Sequence, residues 1–339
     1  MFATLYAAVT RWRRLHAEPR RLGRPVISIG NLAVGGRGKT PMAAIVARIL
    51  LDAGERPAIL SRGYARERPS DAPVVVRDAD GIRATLAESG DEPLMLAEQL
   101  DGAIVVVCPD RARAGVTAER FGATVNVLDD GFQHVRVARD VDIVMMEPRD
   151  LGEDVMPNGR LREPIDALGH ADAIVMCDDS AGERAKAADA LRGIPGIAMF
   201  TASRRVLPPP ADLAAARALL VSGLADNAQF SWSAAEAGWR IAAQAAFDDH
   251  HRYSAGDAAR IARDAAAAGA DVVLTTAKDA VRLREIWTDE RPLHVAELAL
   301  EIDGREQFEQ WLLERLTLAR AARADSQRAV LRDGPRRAS

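Results

Sequence analysis

Apolar, β-branched runs of strand length recur along the chain, at 26–29, 58–60, 74–76, 104–107, 125–128, 143–146, 174–176, 219–221 and 272–274. Ala-rich stretches with helical spacing lie between many of them, at 41–53, 93–99, 112–121 and 181–191. Strand alternating with helix predicts crossover units and a mostly parallel sheet. Parallel strands are covered on both faces, so they read as continuous apolar runs, as these do. The fold class is therefore α/β. No internal repeat is present.

The punctuation changes at Leu207-Pro208-Pro209-Pro210, and a second series of αβ units begins at Ala218. A linker is expected near 202–212, dividing a first domain over 21–205 from a second, smaller α/β unit over 206–316. Residues 317–339 carry no sustained apolar period and end in Gly, Pro and Arg, which predicts a frayed, disordered tail. At the other end, Phe2, Leu5, Tyr6, Val9, Trp12 and Leu15 follow a helical period and form one apolar stripe on a short amphipathic helix over 1–20.

Charge sharpens the picture of that helix. The 339 residues carry 45 Lys and Arg against 49 Asp and Glu, a net charge of −4, which argues against a generally basic nucleic-acid binder. Residues 1–25 depart from this, with six Arg against one acid, Glu18. The positive charges follow the apolar stretch, the reverse of a secretory signal. An apolar stripe beside Trp and Arg suits a helix lying in a lipid headgroup layer. It equally suits a helix docked on the protein body with its Arg residues solvated. No apolar run approaches the ~18–20 residues of a membrane span. Cys108 and Cys177 are the only cysteines and lie far apart, which fits a reducing compartment without a disulfide framework or a Cys-based zinc site.

The segment VISIGNLAVGGRGKTP (26–41) carries the clearest chemistry. An apolar strand enters a Gly-rich turn, then Gly38-Lys39-Thr40, then a helix with Pro41 in its first turn. Gly35, Gly36 and Gly38 let backbone N–H groups turn onto an anion, and the helix N-terminus adds partial positive charge. Lys39 would reach β- and γ-phosphates, and the Thr40 hydroxyl would bind Mg²⁺. Ala33 stands where the strict pattern has glycine, which is tolerable if its φ is negative. The alternative is an ordinary Gly-rich βα turn. Asp129 and Asp130 follow the apolar run 125–128 in LDDGFQH, at the strand edge where an NTPase holds its metal. A plain Asp-Gly turn is the competing explanation.

These segments occur in order with ILSRGY (59–64), GDEPLMLA (90–97), PDRARA (109–114), RDVDIV (139–144), PNGRLREP (157–164), FDDHHRY (247–253) and TTAKDAVRL (275–283). In this combination the chain resembles the tetraacyldisaccharide 4'-kinases, the lipid A 4'-kinases, over 26–283. The resemblance implies a P-loop α/β/α sandwich joined by a short β linker to a second α/β subdomain. It implies MgATP-dependent phosphorylation of the 4'-hydroxyl of a tetraacyl glucosamine disaccharide 1-phosphate, giving lipid IVA. It further implies peripheral attachment to the cytoplasmic face of the inner membrane through the N-terminal helix, with no nucleic-acid partner and no obligate protein partner. By position, Lys39 and Thr40 match the phosphate-loop pair. Asp129, Asp130 and Glu163 match acids around Mg²⁺ and nucleotide, and Arg162 could neutralise the transferring phosphate. Asp91 of GDEP matches a catalytic base, oriented by a His in Asp249-His250-His251, assigned as His250. Departures from the family pattern are Arg37, where a small polar residue is usual, Glu153 and Asp154 after Gly152, and Asn158 before LREP. The Arg37 charge has two readings, contact with phosphate or exposure to solvent.

Taken without the resemblance, Asp91 and Glu92 read as an acid pair at a helix N-terminus before Pro93. His250 and His251 read as a surface pair. Lys278 and Asp279 read as either nucleotide contacts or a helix cap. Two other functions fit a phosphate loop beside a membrane helix: a regulatory NTPase that recruits a partner, and a nucleotide-binding module without turnover. Neither calls for GDEP, DDGFQH and LREP together.

Overall fold

The computed structural model describes residues 2–332 apart from 65, 179 and 225. After helix α1 (Phe2–Leu15), strand and helix alternate: β1 (Val26–Asn31), α2 (Lys39–Asp52), β2 (Pro57–Ser61), β3 (Val74–Asp78), β4 (Gly81–Ile82), α3 (Leu86–Ser89), α4 (Asp91–Gln99), β5 (Ile104–Val107), α5 (Arg111–Arg120), β6 (Val125–Asp129) and β7 (Val141–Met146). Then come β8 (Ala173–Cys177), α6 (Ala181–Leu191) and β9 (Ala198–Val206). A second series follows: β10 (Arg217–Ser222), α7 (Asn227–Glu236), β11 (Arg240–Ala246), α8 (Ala255–Ala268), β12 (Val272–Thr276), α9 (Ala277–Leu283) and β13 (Leu293–Ala296). The chain closes with β14 (Leu298–Ile302) and α10 (Arg305–Arg332).

The large sheet runs β14-β9-β8-β7-β1-β6-β2-β5-β3-β4. Its central strands from β9 to β5 are parallel, and the outer pairings β14–β9, β5–β3 and β3–β4 are antiparallel. Side-chain alternation divides the strands between two cores. Ile27, Ile29, Val141, Ile143 and Met145 pack against Met42, Val46 and Leu50 of α2 and against Phe308 and Leu312 of α10. On the opposite face Val144, Met146, Ile174 and Met176 meet Leu168 and the α6 residues Ala187, Ala188 and Leu191, while Leu60, Ile104 and Val106 meet Ala114 and Ala118 of α5. Helices on both faces of a parallel sheet complete the α/β/α sandwich.

The second sheet, β11-β10-β12-β13, is wholly parallel. Leu220 and Leu274 pack toward Phe230 and Ala234 of α7 on one face, and Leu219, Val221 and Val273 toward Ile261 and Ala265 of α8 on the other. β9 leads into this unit and β14 returns from it, paired antiparallel from Leu298↔Val206 to Ile302↔Ala202. Residues from β14 onward therefore rejoin the first sheet, which corrects the expected second unit of 206–316. Periodicity reports that a strand exists; it carries no record of which sheet the strand joins.

The expected tail is corrected as far as Arg332. Helix α10 buries Phe308, Leu312, Leu316 and Ala319 at helical spacing. Arg323 is anchored beside them: its guanidinium donates to Asp140 Oδ2 at 2.6 Å and Oδ1 at 3.0 Å, and to the Leu22 carbonyl at 2.7 Å. Residues 333–339 lie outside the described residues.

Candidate active site

β1 lies between β6 and β7, so the chain leaves its carboxyl end at a point where the strand order reverses. Parallel α/β sheets bind ligands in that crevice. Register places Ile29 beside Asp129, which brings the end of β6 next to the loop after β1. Gly30 allows the close approach of the following turn, since a Cβ there would stand 2.3 Å from Phe132 Cβ. Gly38 is the N-cap of α2 with φ 75°, a left-handed conformation that favours glycine. No side chain caps this helix, so its first N–H groups stay available to an anion. Ala33 does not have positive φ and is fully buried. The missing glycine thus costs the loop nothing.

Lys39 Nζ donates to Asn31 Oδ1 at 3.2 Å and to the Gly35 carbonyl at 3.5 Å, and lies 3.5 Å from Asp130 Oδ1. The Thr40 hydroxyl donates to Asp129 Oδ2 at 3.4 Å, while the buried Asp129 Oδ1 has no hydrogen-bond partner. Burial pushes the Asp129 carboxyl up to about 7, helped by the nearby Glu92 and Asp130 charges. Burial opposes ionisation of Asp130 too, but Lys39 and Arg162 outweigh it and hold that carboxyl below its ordinary value. Arg162 Nη1 donates to both Asp130 oxygens, at 3.1 and 3.2 Å. Gly35, Gly36, Gly38, Lys39, Thr40, Asp129, Asp130 and Arg162 therefore line one cleft.

Glu163 is not among them. Its carboxylate accepts from Arg14 Nη2 of α1 at 2.5 Å, and both side chains are buried. The chain bends at Arg162 and Glu163, and their partners differ: Arg162 meets Asp130 in the cleft, whereas Glu163 meets Arg14 of α1. The expected metal role for Glu163 is corrected accordingly. Arg37 belongs to the loop that lines the cleft, but its guanidinium is turned to two buried carboxylates and not to solvent. It is 1% exposed beneath the loop, forked onto Asp150 at 2.7 and 3.1 Å and 3.1 Å from Glu147 Oε2. Arg204 of β9 donates to Glu147 Oε1 at 2.9 Å and to the Gly36 carbonyl at 3.4 Å.

The other cleft wall belongs to the second unit. His250 lies after β11 and Asp91 opens α4, yet His250 Nδ1 donates to Asp91 Oδ2 at 3.2 Å. His251 instead meets Asp257 at 3.3 Å. Arg282 of α9 donates to the same Asp91 Oδ2 at 3.0 Å. Burial would raise the Asp91 carboxyl, but the His250 hydrogen bond and the Arg282 charge together hold it below the ordinary range. The Asp91 bond raises the His250 imidazole above its usual 6.5, against the effect of burial. His250 is among the cleft-lining residues and Asp91 is not, being 1% exposed behind it. Asp130 (φ 55°) and His250 (φ 60°) are the non-glycine residues with positive φ among those described, and such strain concentrates at functional sites.

The pair gives a direct prediction. The His250 ring should titrate above pH 6.5 by NMR, and Asp91→Asn should bring the midpoint back toward 6.5. Because the folded value is raised, the bond's contribution to stability is fully present below pH 6.5 and is lost as pH rises through the folded midpoint. An unchanged midpoint in the variant would contradict the bond.

Some site residues escaped sequence reasoning. Glu92, partly buried in the cleft wall, has its carboxyl raised by burial and by Asp91. Gln133 donates to the Asn31 carbonyl at 2.8 Å and ties LDDGFQH to the end of β1. The signal for Gln133 and Arg282 was their place inside LDDGFQH and TTAKDAVRL. Thr276 caps α9 by accepting the Asp279 N–H at 3.0 Å, the Asp279 carboxylate accepts from the Gly223 N–H at 3.0 Å, and Lys278 pairs with Asp249 at 2.6 Å on the cleft wall.

A family model described as Tetraacyldisaccharide-1-P 4'-kinase matches residues 1–317. The chain belongs to that family. Relatives named tetraacyldisaccharide 4'-kinase include one from Geobacter metallireducens, 40% identical over 78% of this chain and 80% of its own length. Another, from Anaeromyxobacter dehalogenans, is 43% identical over 78% of this chain and 73% of its own length. Among solved structures, LpxK from Aquifex aeolicus in complex with ATP is 29% identical with a TM-score of 0.74, covering 93% of this chain and 97% of that one. The tetraacyldisaccharide-1-P 4'-kinase match thus takes in both units, the cleft between them and helix α1.

Proposed function

We propose that the protein transfers the γ-phosphate of ATP to the 4'-hydroxyl of a tetraacyl disaccharide 1-phosphate, giving lipid IVA. The observation that carries this reading is His250, backed by Asp91, on one cleft of about 2120 Å³ with an uncapped phosphate cradle. That volume exceeds the ~300–1,000 Å³ of a single small-ligand site, as a nucleotide and a sugar headgroup together require.

Phosphoryl transfer asks for positioning and charge neutralisation more than covalent chemistry. The α2 N-terminus and Lys39 hold the β- and γ-phosphates. Arg162 stands on the same wall to meet charge on the transferring group. A sugar hydroxyl is a weak nucleophile at neutral pH and needs a base within hydrogen-bond reach. His250 supplies it: Nδ1–H is held by Asp91, which fixes the tautomer and leaves Nε2 to accept the 4'-hydroxyl proton. The roles implied by sequence, Asp91 as base and His250 as its orienter, are exchanged because the imidazole faces the cleft and the carboxylate lies behind it.

The donor set fits Mg²⁺. Asp129 Oδ1 is a buried, unpartnered oxygen beside the Thr40 hydroxyl, with Asp130 next in sequence. Among the described residues no group of three or more His, Cys, Asp or Glu forms a ready metal cage. Mg²⁺ needs none, because it is commonly held by one or two carboxylates plus substrate phosphates. Thr40 and Asp129 would hold it, with Asp130 in support, and it would neutralise phosphate charge.

The reading of location rests on α1. Among the described residues no helix is long and apolar enough to cross a membrane. One face of α1 docks on the body through Ala7 and Arg14, the latter 4.4 Å over the Phe132 ring. The other leaves Phe2, Leu5, Val9, Trp12 and Leu15 exposed, Phe2 at 71% and Leu15 at 75%. The docked face matches the reading of a helix held on the protein body, and the exposed stripe supports the reading of a helix in a lipid headgroup layer. The open stripe supports peripheral attachment to the cytoplasmic face of the inner membrane. Leu5→Glu with Trp12→Glu should lower the fraction bound to anionic vesicles at least tenfold, since each large side chain contributes about 2 kcal/mol on burial. Cosedimentation unchanged by the two substitutions would remove the membrane role.

ATP consumption in detergent micelles tests the reaction class. A kinase should consume ATP only when the lipid disaccharide is added. Steady hydrolysis without acceptor would favour a regulatory NTPase.

A further inference from the structure

Arg282 is not used by the reaction as described, yet its guanidinium bonds both to Asp91 and to the loop that carries His250. From α9 its Nη2 donates to Asp91 Oδ2 of the first unit at 3.0 Å. Its Nη1 donates to the His250 carbonyl at 2.9 Å and to the His251 carbonyl at 2.8 Å. These acceptors converge on the loop where His250 holds φ 60°, a backbone state that needs surrounding contacts to persist. The helix beneath is fixed, because the flanking Val281 and Leu283 are buried, and Val281 packs with Leu94, Leu96 and Val107 of the first unit. The side chain of Arg282 is 10% exposed and that of Asp91 1%.

We infer that Arg282 is a positioning residue that holds Asp91 and the His250 loop in register across the seam between the two units. A planar guanidinium meets several acceptors at fixed angles, which an ammonium on a flexible stem does not. Without the fork, Asp91 would keep its charge but lose the element that sets the loop against it, and His250 could relax from its strained conformation. The inference rests on the reading that His250 and Asp91 move the substrate proton.

The test uses full-length protein with Arg282→Gln and Arg282→Lys, reading kcat, the KM for ATP and the His250 titration by NMR. His250 faces Asp91 and Glu92 from α4, Tyr64 from the segment after β2, and Asp249, Lys278 and Arg282 from its own unit. Positioning and simple charge removal have opposite signs there. Loss of a cation alone would raise the His250 midpoint, whereas loss of the Asp91 bond would lower it. Arg282→Gln is expected to cut kcat at least tenfold with the KM for ATP within twofold, and to lower the His250 midpoint toward 6.5. A kcat within twofold of the parent, or a midpoint that rises, would overturn the assignment. If Arg282→Gln does not fold, Arg282→Lys decides: a fall in kcat at unchanged KM for ATP upholds the fork, and full parental kcat overturns it. Should Asp91→Asn itself leave kcat intact, the proton-transfer reading fails separately, and the NMR midpoint alone decides whether Arg282 positions the pair.

Discussion

Asp91→Asn is expected to lower kcat by about 10²–10⁴-fold while ATP affinity stays within a few fold. The cradle that holds ATP is built from the loop after β1 and the start of α2, and Asp91 touches neither Lys39 nor Thr40. Its carboxylate contacts are His250, Arg282 and the Glu92 N–H at 3.0 Å. An amide cannot hold the Nδ1–H tautomer by charge, and it leaves Arg282 facing a neutral group. His250→Ala should be at least as damaging, since the imidazole is the group that faces the cleft. Rapid-quench turnover with calorimetric ATP binding separates the outcomes. A loss of ATP affinity would give Asp91 a metal or structural role, and a much milder His250→Ala would return the base function to the carboxylate.

The second large effect is on stability. Arg37→Met leaves Asp150 and Glu147 buried with one cation removed, and breaking such a cluster costs about 3–5 kcal/mol. Two features place the loss near the lower end. Glu147 retains Arg149 and Arg204, and Asp150 Oδ2 still accepts the Glu147 N–H at 2.9 Å. The urea midpoint should fall accordingly, and Arg37→Met with Asp150→Leu should recover part of the loss, because residues in one network are not additive. The single variant should also weaken ATP binding, since Arg37 holds the loop between Gly36 and Gly38. An unchanged midpoint would mean the cluster contributes nothing to folding.

How far the sequence carried the account depends on what each residue must do. The parallel strands were legible because burial on both faces leaves an unbroken apolar run, as at 104–107 and 125–128. The cradle was legible because glycine, lysine and threonine are needed there in a set order. The part of helix α10 beyond Leu316 was not, since Ala319 sits in a stretch of Ala and Arg, and its firmest anchor, Arg323, carries a charge that reads as surface. Arg37 was misplaced for the same reason: a formal charge in a loop suggests solvent or ligand, whereas here two buried carboxylates supply the partner. Glu163 failed on its partner: the chain bends there, and the carboxylate is taken by Arg14, 149 positions away in sequence. Asp91 and His250 stand 159 positions apart, and composition and spacing do not connect them. The family resemblance did so, and the fold supplies the contact.

The central claim is tested most directly by incubating the protein with γ-labelled ATP, Mg²⁺ and a tetraacyl disaccharide 1-phosphate in detergent, and locating the label. The account predicts label on the lipid at the 4'-oxygen, abolished by Lys39→Ala. Label released only as inorganic phosphate, at a rate indifferent to the disaccharide, would contradict it.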